Sequence, residues 1–507
     1  MKWRRNPNSR CWAVSRFFAL AGVFSLLAGY GCMLGPDYHP PPVAVEDFWM
    51  YRGDSGIDTL DAVNPLWWES AFSDALLDDL IAGAISQNLE LRSAALRVLQ
   101  AQQQLAISIG NQYPQLQQIT GSAERSKGLD EPGVIENEFS LDFNLSWELD
   151  MWGRLRRLVQ SASADFEASM ADYDGVLVSL VAQVAQTYID IRTTQRRLEV
   201  AEENIRLQRE SLRIATVKFE AGEVSALDVE QAQTLLSNTQ ATVPDLEITL
   251  QQLKNTLAIL LGEPPHHLNY LLGGFSGIPT VPARIAVGMP QDLLRQRPDI
   301  RQAERLLAAQ AAQIGVARAE LYPTFSIGGS IGTLAMDAGK LFEGESETWD
   351  LLFDFEWNVF NYGRLRSNVR LQDATFQQLL ADYQQTVLQA QVDAENAIVA
   401  YLKSQQQLIY YARAAEASKE SVNLSLSQYT NGLIEFNTVI TTLTSDVTQQ
   451  DTLAVTQGLV ASNLVQIYLS LGGGWQIRED RTPIELLPES VIEEMQRRTG
   501  YWDKWLR

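Results

Sequence analysis

The two halves of this chain repeat each other. A shift of 210 residues lays Trp147 on Trp357, Gly153-Arg154-Leu155-Arg156 on Gly363-Arg364-Leu365-Arg366, and Ala171-Asp172-Tyr173 on Ala381-Asp382-Tyr383. The same shift lays Gly222 on Gly432 and Leu261-Gly262 on Leu471-Gly472, with no gap. Upstream, a shift of 209 brings Leu91-Arg92 onto Ile300-Arg301 and Tyr113-Pro114 onto Tyr322-Pro323. Self-similarity of this kind means one structural unit built twice. The first copy covers residues 65–262 and the second 290–475, with a linker rich in Gly, Pro and apolar residues at 263–289. Two copies of this length do not make a solenoid.

Each copy reads as helix, strand hairpin, long helix, turn, helix. A helical stretch at about 75–110 stops at Tyr113-Pro114, because proline cannot continue a helix. From Phe139 to Asp150 the odd positions are apolar (Phe139, Leu141, Phe143, Leu145, Trp147, Leu149) and the even positions polar. Side chains alternate faces along a strand, so this strand has one greasy and one wet face. Leu351, Phe353, Phe355, Trp357 and Val359 repeat the pattern, which Leu352 breaks once. The expected strands are 115–123, 138–150, 322–332 and 348–360, forming hairpins over 115–150 and 322–360. Twelve alternating residues is long for a globular strand and right for crossing a bilayer at a tilt. A half-buried strand of a soluble sandwich carries the same pattern.

After each strong strand the period changes. No proline interrupts Arg154 to Phe219, and Leu177, Val184, Ile191, Leu198, Ile205, Leu212 and Phe219 fall seven apart. Val387, Ala394, Tyr401, Leu408, Ala415, Val422 and Tyr429 repeat that line. A seven-residue period supercoils helices against their neighbours. A helix of this span is roughly 100 Å long. Gly222 stands where a C-cap glycine ends a helix, and Ser225 where an N-cap opens the next, over about 226–262. The result is a helical hairpin, with long helices over 154–262 and again over 364–472.

Four strands cannot close a transmembrane barrel, for which eight is about the smallest number. Open sheet edges are forbidden in lipid, where unpaired backbone groups find no water. If these strands span a membrane, the barrel is shared, and three subunits supply twelve strands. The expected fold class is therefore an α+β membrane protein: a trimeric 12-stranded β-barrel continued by a helical coiled-coil barrel. Phe139, Leu141, Phe143, Leu145, Trp147, Phe353, Phe355 and Trp357 would face lipid. The long helices carry Gln, Arg and Glu, as in Arg192 to Arg209, and stay out of it. Trp152 and Tyr362 stand where an interfacial aromatic belt would be, and Arg154, Arg156, Arg364 and Arg366 follow at headgroup level or as a solvated helix end.

The chain opens with Lys2, Arg4, Arg5, Arg10 and Arg16, an apolar run from Phe17 to Leu27, and then Ala28-Gly29-Tyr30-Gly31-Cys32. A basic start, a short apolar core and small residues make a signal peptide over 1–31. The small residues ahead of Cys32 resemble a bacterial lipoprotein box, with Gly29 where Leu is usual, and imply a covalent lipid on Cys32. Residues 32–64, with Pro40-Pro41-Pro42, read as a lipid-anchored tether. Removing the leader makes the formal charge of −22 five units more negative, which argues against a nucleic-acid partner. No His or Cys cluster has metal-ligand spacing, and His39, His266 and His267 lie in tether and linker. Neither a phosphate loop nor a nucleophile–base context is present, so no metal, cofactor or enzyme activity is expected. In the tail at 476–507, Glu489 to Arg507 reads as a charged amphipathic helix ending in Trp502 and Trp505.

Several motifs stand in a telling order: Gly35-Pro36-Asp37-Tyr38, Trp67-Trp68 through Asn88-Leu89, Arg297-Pro298-Asp299-Ile300-Arg301 through Ile314-Gly315-Val316-Ala317-Arg318 to Tyr322-Pro323, and Leu471-Gly472-Gly473-Gly474-Trp475. In them the chain resembles the TolC-type outer-membrane efflux proteins, in the lipoprotein branch similar to OprM and CusC. The resemblance implies a homotrimer in outer-membrane lipid, with a periplasmic helical barrel closed at its inner tip. It implies the exit duct of a tripartite pump, joined by a periplasmic adaptor protein to an inner-membrane RND transporter. Small toxic molecules such as drugs or metal ions would pass through it. The hairpin tips, Gly222, Val224 and Ser225 with Gly432 and Leu433, would meet the adaptor. Asp228, Glu230, Glu435, Thr438, Thr441 and Asp446 become the gate candidates. The chain departs from the family at Thr438-Val439-Ile440-Thr441-Thr442, where acids are usual, so a constriction ringed by Thr441 is expected. The rival readings are a duct for type I protein secretion and a periplasmic coiled-coil scaffold without a pore. The alternation at 139–149 and 351–359 speaks against the scaffold.

Overall fold

A computed structural model of the chain describes residues 32–58, 64–127, 135–265, 268, 272 and 277–502. The leader, the loop around Gly128, His266-His267 and Trp505 lie outside the described residues. In chain order the elements are β1 (Ile57–Asp58), α1 (Trp67–Phe72), α2 (Ala75–Gln87), α3 (Leu89–Gly110), β2 (Leu116–Lys127), β3 (Ile135–Leu149), α4 (Arg154–Glu220) and α5 (Ala226–Leu261). After the linker come β4 (Ile285–Ala286), α6 (Leu293–Gln296), α7 (Pro298–Ala319), β5 (Thr324–Ala335), β6 (Glu347–Glu356), α8 (Arg364–Thr430), α9 (Phe436–Leu471) and α10 (Glu489–Thr499). The repeat holds in element lengths. The helices α4 and α8 have 67 residues each, α5 and α9 have 36 each, and α3 and α7 have 22 each. The second strand of each hairpin differs, with 15 residues in β3 and 10 in β6, and so does the helix ahead of the 22-residue one, with 13 residues in α2 and 4 in α6.

The chain divides into two compact units. One comprises the chain up to Pro42, Leu99–Ser169 and Ala303–Tyr383; the other comprises Val43–Val98, Met170–Gln302 and Gln384 onward. The first unit holds an antiparallel sheet of order β2-β3-β5-β6, so β2 and β6 are its open edges. Where β3 gives way to α4, the Asp150 carboxylate accepts from the backbone N–H groups of Leu155 (3.1 Å) and Arg156 (3.0 Å). Those donors have no partner within a helix, and the cap supplies one.

Residues 33–38 of the expected tether are instead fastened down. Leu34 N donates to Trp152 O at 3.0 Å. The buried Arg157 guanidinium donates to Leu34 O (3.0 Å), Gly35 O (3.2 Å) and Asp37 Oδ1 (3.0 Å). Gly35 has φ +100°, and a Cβ there would lie 2.4 Å from Gly315 Cα, so only glycine fits the crossing.

In the second unit the start of the first long helix of each copy reads the end of the last. Asn88 Nδ2 donates to Leu260 O at 2.9 Å, and Arg297 Nη1 donates to Ser470 O at 2.8 Å. These bonds satisfy C-terminal carbonyls that a helix leaves unpaired. The chain from Val43 is again no free tether. Trp49 is buried, its Nε1 donates to Gly288 O at 2.9 Å, and β1 pairs in parallel with β4 of the linker.

The tail is pinned as well. Asp174, fully buried, accepts from Arg301 Nη1 at 3.1 Å and from Arg478 through Nε and, at 2.9 Å, Nη2. The Arg301 guanidinium lies 4.2 Å from the Trp475 ring centroid. Burial raises the Asp174 carboxyl above its ordinary range, while the two guanidiniums pull it down.

Candidate functional site

Two regions carry the expected function: the sheet of the first unit and the hairpin tips of the second. In the sheet, the registers align Phe139, Phe143, Trp147 and Leu149 of β3 with apolar partners, while Leu141 and Leu145 lie opposite glycines, Thr333 and Gln117. Phe143 pairs with Ile119 and Ile331, and Ile331 with Trp349. Trp147 pairs with Ile327 and Ile327 with Phe353, while Phe325 pairs with Phe355. Leu141 and Leu145 complete the row on β3, and Phe139 lies opposite Ala123 and Ala335. An apolar face therefore runs over β3, β5 and β6 and reaches β2 at Ile119 and Ala123, and Ile331, Trp349, Leu351 and Phe353 on it are exposed. The opposite face carries Asp142, Asn144, Glu148, Ser326, Ser330, Asp350 and Asp354. Leu352, the break in the pattern, falls on that wet face opposite Gly328, which has no side chain to crowd it.

The strand ends differ from expectation. Trp357 lies one residue beyond β6, because the ladder stops at Thr324–Glu356 and Pro323 has no N–H to extend it. Its indole instead donates to Leu321 O at 3.1 Å, as Trp147 donates to Gln112 O at 3.2 Å. Each copy thus fixes one tryptophan onto the turn ahead of its Tyr-Pro. Trp152 does likewise, donating to Pro323 O at 2.7 Å with its ring 4.9 Å from that of Tyr322. A half-exposed ring with a satisfied N–H is what an interfacial tryptophan needs.

Arg154 is not free at headgroup level. It forks onto Glu148 at 2.8 and 2.7 Å, an ion pair between strand and helix. The second copy has Asn358 and Phe360 where the first has Glu148 and Asp150, so Arg364 stays exposed beside a fully exposed Tyr362. Cys32 is exposed one residue before the fastened segment.

At the tips both copies turn the same way. Gly222 (φ +75°) and Gly432 (φ +74°) adopt the left-handed conformation. Glu223 N reaches back to Lys218 O at 2.8 Å, and Leu433 N to Gln428 O at 2.9 Å. This is the Schellman pattern that ends a helix on glycine. Ser225 occupies the N-cap position of α5, but its hydroxyl reaches the Asp228 carboxylate (3.3 Å) instead of a backbone N–H.

Beneath the turns lies a buried cluster of Ala215, Ala232, Val422, Tyr429, Phe436, Val439 and Leu443, drawn from all four helices. Tyr429 stacks at a tilt on Phe436 with centroids 5.0 Å apart, and its hydroxyl donates to Asp228 Oδ2 at 3.4 Å. Lys218, paired with Glu223 at 3.0 Å, lies 5.5 Å over the Tyr429 ring. Burial, then Asp228 and Glu223, push the Tyr429 phenol up to about 12, so it remains a donor at any physiological pH.

The heptad line splits here: Phe219 is 45% exposed, whereas its counterpart Tyr429 is 3% exposed. Leu227 and Leu433 are also exposed, and a cleft between the tips is lined by Val224, Leu227, Asp228, Ile434 and Glu435. Glu230, Glu435, Thr438 and Thr441 are exposed, and the Thr441 hydroxyl donates to Asn437 O at 2.8 Å. Asp446 is different. It is 3% exposed and accepts from Ser418 Oγ at 2.6 Å and Gln450 Nε2 at 3.3 Å, enclosed by its own chain's helices.

Residues 80–263 and 289–473 match the family model described as outer membrane efflux protein. The chain belongs to that family. Both copies seen in the helices coincide with these two matches. Nodulation protein T of Rhizobium leguminosarum bv. viciae is 31% identical over 469 residues, covering 92% of this chain and 96% of that protein. The cation efflux system protein CusC of Escherichia coli O6:H1 is 28% identical over 450 residues, covering 89% and 97%. The solved structure of the outer-membrane channel OprN superposes with a TM-score of 0.84 at 32% identity, covering 88% of this chain and all of that one. The likeness to TolC-type channels read from the motifs therefore holds across the chain. Among the described residues no helix is long and apolar enough to cross a membrane.

Proposed function

We propose that three copies of this chain close a twelve-stranded barrel in the outer membrane and form the exit duct of a tripartite efflux pump of the RND type. The observation that carries this reading is the sheet: four strands, two open edges, and one apolar face that spreads over β3, β5 and β6 and reaches β2 at Ile119. Four strands cannot satisfy their own edges in lipid, and pairing β6 of one copy with β2 of the next does so. The apolar face then meets lipid and the acidic face lines water.

A lipid on Cys32 fits the same level of the membrane. The Arg157 clasp holds the following residues against Trp152 and Gly153, at the end of the apolar face. The long helices supply the periplasmic part of the duct. The exposed apolar groups of the tips, Phe219, Leu227 and Leu433, offer the adaptor a docking surface. The gate is held by the Tyr429–Asp228 bond and by hydroxyl and apolar contacts around Thr438 and Thr441. Asp446, enclosed by its own helices, contributes no charge to the lumen.

Drugs, solvents or metal ions are the cargo of such pumps, and the duct conducts them passively. The test is cellular. Deleting the chain should raise retention of a pump-extruded dye, and restoring it should reverse that. Complementation by an Ile331→Arg chain should fail, because the charge falls on the lipid face. Unchanged retention after deletion would contradict the duct reading.

A further inference from the structure

Above the apolar tip cluster the helices change character. Gln208 and Ser211 lie seven and four residues before Ala215 on α4, so they share its inward face. Gln208 is 1% exposed and Ser211 2% exposed, and neither the Gln208 amide nor the Ser211 hydroxyl has a hydrogen-bond partner among the described residues. On the second hairpin Ser418 lies four residues before Val422, and Asp446 three after Leu443. Ser418 donates to Asp446, which also accepts from Gln450. Immediately beyond, a cleft of about 450 Å³ is lined by Asn204, Thr239, Thr242 and Thr448, and Arg197 pairs with Asp451 at its edge at 2.7 Å. Residues of α4, α5 and α9 meet there. The same cleft faces the turn of α5 that contains Pro244, which has no N–H to give the Gln240 carbonyl.

Orphaned buried amides are costly, and folded proteins satisfy them with internal water. Water re-forms its bonds at any small helix offset, whereas interlocked apolar side chains must jump. A helix whose ladder is broken by proline bends there first. We propose that the polar layer of Gln208, Ser211, Ser418 and Asp446 is a hydrated hinge, completed by Pro244, about which the hairpin tips move. The proposal rests on reading the tips as the gate. The hairpin tips below the layer swing about it and part at the Tyr429–Asp228 bond, and the helices above it stay fixed.

Two variants of the full-length chain test it. Gln208→Leu with Ser211→Ala fills the layer with apolar groups. Pro244→Ala, at an exposed position, restores the missing helix bond and leaves the core untouched. The double variant should raise Tm by about 3 °C. Each variant should lower the open fraction of single channels in planar bilayers roughly fivefold. A lower Tm in the double variant would mean that a satisfied network had been broken, and would overturn the hydrated layer. An open fraction unchanged in either variant would overturn the hinge. A parent chain that forms no channels at all would overturn the duct reading, and the hinge with it.

Discussion

Replacing Tyr429 by Phe removes one oxygen and nothing else from the tip. The ring keeps its place against Phe436 and in the buried cluster. What is lost is the bond to Asp228, which at 3.4 Å is long and half-exposed, and so contributes about 0.5 kcal/mol. If three copies close together, the closed state loses about 1.5 kcal/mol, or roughly a tenfold rise in the open-to-closed ratio. The assay is single-channel recording of parent and variant in planar bilayers at one salt and voltage. Because the phenol titrates only near 12, the effect should be the same from neutral to mildly alkaline pH. Asp228→Asn, whose amide oxygen still accepts from Tyr429, should shift the ratio less. An open fraction in Tyr429→Phe within about twofold of the parent's would refute the claim that this bond holds the tip.

Three further outcomes follow from other parts of the chain. Arg157→Met strips the donors from Leu34 O, Gly35 O and Asp37, and should cost about 3 kcal/mol and expose residues 33–42 to protease in purified protein. Ile331→Arg, on the apolar face of a central strand, should cost about 3 kcal/mol and lower the amount of protein in the outer membrane, while Ser330→Arg on the wet face should leave it near the parent's. Burial raises the Asp190 carboxyl, so the folded state holds that proton more tightly than the unfolded chain. Its contribution to stability is therefore full below the ordinary carboxylate range and is lost as pH rises through the raised folded value. Asp190→Asn, which keeps an acceptor for Gln186, should melt higher than the parent at pH 7 and alike at pH 3.5.

Much of this molecule was legible from its repeat and its periods. The 210-residue shift located both long helices, and the alternation at Phe139–Leu149 placed every one of those side chains on the correct face. Local turn chemistry was equally readable at Gly222 and Gly432, because a left-handed C-cap depends on the glycine itself. What escaped were contacts between distant residues. Pro40-Pro41-Pro42 suggested a tether, yet Arg157 fastens the chain before it to Asp37 across 120 residues, and Gly288 fastens Trp49 after it across 239. Nothing near Asp174 announces Arg478, its partner 304 residues later. Asp446, a gate candidate by its place near the tip, is instead buried. Three residues from Leu443, it shares that residue's buried face. Ser225 missed its cap because the Asp228 carboxylate competes for its hydroxyl.

The central claim is that the sheet is one third of a membrane barrel. The most direct measurement is the mass of the full-length complex extracted from outer membranes in detergent. The account predicts three chains per particle, released only by detergent. A single chain that leaves the cell envelope without detergent would contradict it, because an apolar four-stranded face with two open edges could not then have been in lipid.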